Sequence, residues 1–232
     1  MVSTNQPLNQ PSHTNNSTNS GWFDKEKIKD FYKESLPKIL KTIFTEPIEG
    51  TYSLLSEKTE TSYFNSLVLL ISTGIHYILI LYIIAGDMRS MVGFGTLVKI
   101  GLEIIAFMLV ITAISFGIKS ISGKPSFKNE LLTGALYGIP LTLLIISVLL
   151  LNFFSKSLDV TDLLSDRSLK ALQSGGIIIG FLMLYIFFMF INIIQQSLKS
   201  AGRKDSIAWY ISPIAVLTAF YITSIIIEKQ LK

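Results

Sequence analysis

The chain has 232 residues, 50% hydrophobic and 16% charged, with a net charge of +4 and a mean hydropathy of +0.52. That apolar balance lies outside the usual soluble range, and without a dense Lys/Arg patch interleaved with aromatics the modest positive charge argues against a nucleic-acid partner. Cysteine is absent, which excludes a disulfide framework, a thiolate nucleophile and a zinc knuckle.

Residues 1–21, rich in Asn, Ser, Thr, Gln and Pro, read as a disordered polar lead. They hold too little apolar surface to fold, and they lack the basic start and apolar run of a secretory signal peptide. From Trp22 the pattern changes, and residues 22–63 are expected to form an amphipathic helical segment. Ile28, Phe31, Tyr32, Leu36, Ile39, Leu40 and Ile43 recur at spacings of three and four, with Lys25, Lys29, Lys33, Lys38 and Lys41 among them. Pro37 removes a backbone donor, which predicts a kink or two short helices, with Ser35 available to cap the second. Thr45-Glu46-Pro47 is a further helix-start signal, ahead of Ile48, Tyr52, Leu54 and Leu55. Two readings stay open for this segment: a helix that lies in the membrane interface or docks a partner, against one that simply packs on the protein's own spans.

Within 64–232, five apolar stretches follow, at 66–85, 97–118, 131–154, 175–194 and 206–227. Each is 20 to 24 residues long, and a helix rising about 1.5 Å per residue needs roughly 20 to cross a 30 Å hydrocarbon layer. The expected fold is all-α: a polytopic bundle of five transmembrane helices in contact with the lipid bilayer. The loop charges set an orientation. Lys119, Lys124 and Lys128 face Glu130 after the second span, and Lys199, Arg203 and Lys204 face Asp205 after the fourth. The 87–96 and 155–174 loops are nearly balanced. The positive-inside bias then puts the N-terminus in the cytoplasm and the tail Glu228–Lys232 outside.

Several residues inside the spans stand out. His76 lies mid-span in the first helix, either as a hydrogen-bonded packing residue or as a proton relay. Lys99 and Glu103 are four apart on one face of the second helix. Burying such a group costs on the order of 3 kcal/mol, so the pair is either a structural partnership near the interface or a contact for a solute, ion or lipid. In the third span Gly134 and Gly138 form a small-residue face, with Tyr137 between them. Pro140 frees the carbonyl of Leu136, which neighbours must satisfy. The fourth helix ends with Asn192, Gln195 and Gln196. The fifth opens with the interfacial pair Trp209-Tyr210 and carries Pro213. Gathered at the cytoplasmic half, these residues make a candidate working surface, or their amides simply cross-link helices.

The long lead to Thr45-Glu46-Pro47-Ile48-Glu49-Gly50, the Gly123-Lys124-Pro125-Ser126-Phe127 loop, Tyr-Gly-x-Pro at Tyr137–Pro140 and the Gly202-Arg203-Lys204 turn, set around five spans, form a pattern over roughly residues 36–228. It resembles the YIP family of Ypt/Rab-interacting membrane proteins, more its bacterial branch than its eukaryotic one. The resemblance implies a cytoplasmic N-terminus, five spans, no catalytic activity and, for a bacterial member, the inner membrane. Eukaryotic members act in vesicle trafficking by binding prenylated small GTPases, and no GTPase-binding motif is present here.

Three function classes follow. A non-enzymatic scaffold or adaptor binding another membrane or cytoplasmic protein fits the resemblance and the N-terminal segment. A transporter or small pore would use Lys99, Glu103, His76 and the two prolines. An intramembrane enzyme lacks its groups, because the histidines are His13 and His76 alone and cannot form His-Glu-x-x-His, and no Walker lysine loop for nucleotide hydrolysis exists. No catalytic residue, metal or cofactor is expected.

Overall fold

A computed structural model of the chain describes residues 25–57, 60–86, 92–121, 123–154 and 168–231. The polar lead 1–21 lies outside the described residues, as do 87–91 and 155–167, whose charges entered the orientation argument. The elements, in chain order, are α1 (Lys25–Asp30), a π-helical turn (Phe31–Ser35), α2 (Leu36–Thr45), α3 (Glu49–Ser56), α4 (Glu60–Ile84), α5 (Phe94–Ser120), α6 (Phe127–Leu136), α7 (Gly138–Phe154), α8 (Ser168–Ser200) and α9 (Asp205–Leu231). Five helical stretches within them are long and apolar enough to cross a membrane: Ser62–Ile84, Phe94–Ser120, Phe127–Leu151, Ile179–Ser200 and Asp205–Lys229. The protein is an all-α polytopic membrane protein. Helices suit these segments because a lipid-exposed backbone must satisfy every N–H and C=O internally.

Among lipid tails, apolar residues gain little by meeting each other, so the spans associate through close packing and interhelical hydrogen bonds. Glycines set the closest approaches. At Gly74 on α4 and Gly101 on α5 the backbones nearly touch, and a Cβ at Gly101 would sit 2.9 Å from the Gly74 carbonyl oxygen. Gly134 lets α6 lie on the Met108 carbonyl and Thr112 Oγ1 of α5, and Gly138 meets Thr73 Oγ1 of α4. The small-residue face expected in the third span is therefore a double contact, one glycine for each neighbouring helix. On α9, Ala208, Ser212, Ala215, Val216 and Ala219 make the corresponding buried stripe.

The third span is broken at Tyr137. Pro140 has no N–H to offer Leu136, and the ladder tightens there: Tyr137 N–H donates to the Gly134 carbonyl at 3.1 Å, one residue short of the α-helical partner. A tyrosine reaches this span from α4: Tyr77 Oη donates to the Leu141 carbonyl at 2.9 Å. Tyr137 itself is completely buried, stacks on Phe190 at 4.6 Å between ring centres and donates its hydroxyl to the Phe190 carbonyl at 2.7 Å. Phe107 lies edge-on to Tyr137 and stacks on Phe220, so an aromatic layer from α5, α8 and α9 fills the bundle around Tyr137.

The N-terminal helices pack on the flank of the bundle as well as towards the end where α4, α6 and α9 begin, here termed the capped end. Tyr32 Oη bonds Ser72 Oγ of α4, and Ile43, Phe44 and Pro47 lie by Tyr185, Phe188 and Asn192 of α8. Phe31, Ile39 and Ile43 are buried in the same core as the spans, and α3 packs along α8. Pro37 produces neither a break nor a Ser35 cap. Ser35 keeps helical dihedrals and makes no capping bond. The chain instead widens into the π-helical turn just before the proline, with Leu36 N–H reaching the Phe31 carbonyl. Widening the helix by one residue relieves the clash of the proline ring with the carbonyl four residues back. Gly50, at the start of α3, allows α3 to rest on Thr42 of α2.

Candidate functional site

The charges counted as loop residues, Lys119 and Glu130, are neither in a loop nor exposed. Lys119 belongs to the last turn of α5 and Glu130 to the first turn of α6, and their side chains are 6% and 9% exposed. The reason lies in the helical repeat. Lys119 follows Ser115 and Thr112 by four and seven residues, which places it on the buried stripe of α5. Glu130 precedes Thr133, Gly134 and Tyr137 by three, four and seven, on the packed stripe of α6. Extending each periodicity by one turn beyond the apolar run would have exposed this signal.

Lys119 Nζ donates to Glu130 Oε2 at 2.6 Å, and Ser115 Oγ donates to the same oxygen at 3.0 Å. Thr133 Oγ1 lies 3.4 Å from it. Ser197 of α8 completes the group, with its hydroxyl 2.8 Å from Thr133 Oγ1 and 3.3 Å from Ser115 Oγ. Three spans thus share one hydrogen-bonded ion pair. A buried charge pair persists only with polar neighbours, and here Ser115 and Thr133 bring hydroxyls to Glu130 Oε2 while Ser197 bonds those hydroxyls in turn.

A cleft of about 240 Å³ opens over this pair at the capped end. Lys119, Glu130 and Thr133 form its floor, Lys124, Ser126 and Lys128 stand on one side, and Glu57 on the other. Lys128 Nζ rests 4.8 Å above the Tyr63 ring, in cation–π geometry. Beside it, Gly202 takes φ +81° and closes a Schellman turn, with Arg203 N–H on the Leu198 carbonyl and Gly202 N–H on that of Lys199. The turn aims Arg203 across the bundle, where Nη2 donates to the Ile118 carbonyl at 2.9 Å, a cation at the C-terminus of α5.

The singled-out residues of the spans separate into three groups. Gly134, Tyr137, Gly138 and Pro140 are buried, so they contact the protein and offer no surface to a partner. Asn192, Gln195 and Gln196 serve the capped end as cross-links. Asn192 Nδ2 donates to the Pro47 carbonyl ahead of α3, Gln196 Nε2 donates to Asn192 Oδ1 at 3.2 Å, and Gln195 Nε2 points to Asp205 Oδ1 at 3.4 Å. Pro213, half-buried within α9, belongs to neither set.

Lys99 and Glu103 are both half-buried. Lys99 lies 20 residues before Lys119 on α5, about 30 Å along the helix axis, so it does not enter the capped-end cluster. His76 is half-buried. Among the described residues, no three His, Asp or Glu side chains gather as a metal site requires. Comparison of the chain with protein-family models, with curated proteins and with solved structures gives no match.

Proposed function

We propose that this protein is a non-enzymatic integral membrane scaffold of the YIP type, which binds a partner protein through its capped end. That end is cytoplasmic in this reading, with the C-terminus outside and the bacterial inner membrane as the host. The observation that supports it is how α1–α3 are seated. The amphipathic segment buries Phe31, Ile39 and Ile43 on the spans and turns Phe44, Ile48 and Tyr52 outward, at 45%, 58% and 42% exposure, beside lysines. Aromatic and aliphatic side chains held outward by a rigid base are what a partner surface requires.

The test is purification of the full chain in mild detergent with mass spectrometry of what co-elutes. A stoichiometric partner should be lost in a Phe44→Ser, Ile48→Ser, Tyr52→Ser variant whose thermal stability is unchanged. Absence of any partner would sink the scaffold reading.

The transporter reading rests on a different observation, the polar cluster of Lys119, Glu130, Ser115, Thr133 and Ser197 inside the bundle. Intramembrane ionisable groups are functional candidates by default. Against it, the aromatic layer around Tyr137 stands between this cluster and Lys99, Glu103 and the far end. Flux through proteoliposomes, abolished by Glu130→Gln in a folded variant, would reverse the order of the two readings.

A further inference from the structure

We infer that the cleft above the Lys119–Glu130 pair is a binding site for a phosphate group. The cleft lies where the apolar parts of three spans end, at Ser62, Phe127 and Ser200, which is the depth of the lipid head groups. Its volume of about 240 Å³ is smaller than a drug-sized pocket, so it suits a head group or a free anion rather than a whole nucleotide.

The charge arrangement selects the sign of the ligand. Glu130, which would otherwise repel an anion, is neutralised by Lys119 at 2.6 Å and bonded by Ser115. That leaves Lys124 and Lys128 against the single carboxylate of Glu57 on the lining. Lys128 is held in place by the Tyr63 ring. The same wall contains the N-terminus of α6, where the Asn129 and Glu130 N–H groups bond the Ser126 carbonyl. The Ser126 side chain makes no capping bond, which leaves its hydroxyl and the first turn's Phe127 and Lys128 N–H groups for an anion. Two ammonium groups, a serine hydroxyl and a helix N-terminus converging over a buried ion pair match the oxygens of a phosphate. The group comes either from a phospholipid or from solution. The site goes beyond the scaffold reading and stands or falls independently of a protein partner.

The test uses the full chain in two settings. In nanodiscs of phosphatidylcholine with phosphatidic acid, lipid retained by the purified protein is quantified by native mass spectrometry. In lipid-depleted detergent, inorganic phosphate is titrated against the unfolding temperature, with chloride as control. Lys124→Ala/Lys128→Ala removes two exposed charges and no core contact. Lys33→Ala/Lys41→Ala, two exposed lysines of the N-terminal helices that do not line the cleft, removes the same charge elsewhere.

The expected result is a loss of about tenfold or more in binding for the first variant, as the loss of even one charge-assisted hydrogen bond implies, and little change for the second. If phosphatidic acid shows the loss, the ligand is a lipid head group; if inorganic phosphate does, it is the free anion. Either outcome supports the site. Equal losses in both variants, or none in either setting, would overturn it.

Discussion

Two ion pairs sit at the same end of this bundle and differ in almost everything that matters energetically. Lys119 and Glu130 are 2.6 Å apart, nearly sealed from solvent, and share their charge with three hydroxyls. Lys199 and Asp205 are 3.1 Å apart, but their side chains are 30% and 69% exposed, and Asp205 receives one further, longer contact from Gln195. Water and counterions screen the second pair and solvate each partner when the other is removed. The first pair has no such refuge. The lesson is that proximity of opposite charges says little here until the surroundings of each charge are known.

The strongest way to break this contrast is Glu130→Ala. It removes the carboxylate that Lys119 Nζ bonds at 2.6 Å inside the bundle, and should cost about 3–5 kcal/mol in denaturant or thermal unfolding of the detergent-solubilised protein. Lys119→Met combined with Glu130→Leu should recover most of that loss, because an apolar pair of similar volume avoids the uncompensated charge. A double variant as unstable as the single one would mean that the pair itself, rather than the orphaned charge, is what stabilises the fold.

Gly134→Ala comes next. Its methyl would drive into Thr112 Oγ1 and the Met108 carbonyl, so α5 and α6 must separate at the point where they carry the pair, at about 1–3 kcal/mol. Gly180→Ala, where an added Cβ meets nothing, is the control and should leave the unfolding temperature in place. Tyr137→Phe keeps the stack on Phe190 and removes only the hydroxyl donated to its carbonyl, for about 1 kcal/mol. The smallest effect belongs to the exposed pair. Lys199→Ala should unfold at the same temperature as the wild type, and a clear drop would show that the two pairs are less different than their exposure suggests.

Much of the architecture was legible from the chain alone. Five runs of spanning length, free of charge at their centres, require helices in a bilayer whatever their neighbours are. Gly134 and Gly138 as a close-approach face, and Gly202 as the turn before the last span, were likewise readable, because a missing Cβ or a positive φ is a local property. What the sequence could not decide was which partner each residue meets. Lys119 and Glu130 are eleven residues apart across a loop, and only the antiparallel packing of α5 on α6, with Ser197 arriving from α8, turns two flanking charges into one buried cluster. Asn192 meets the Pro47 carbonyl across 145 residues of chain. Pro37 was expected to give a kink or two short helices capped by Ser35, and the chain, with Phe31, Ile39 and Ile43 buried in the core, takes a π-helical turn there without that cap. Local periodicity fixes which face of a helix is buried, whereas the energy of a buried charge depends on groups distant in sequence, and only tertiary packing brings those together.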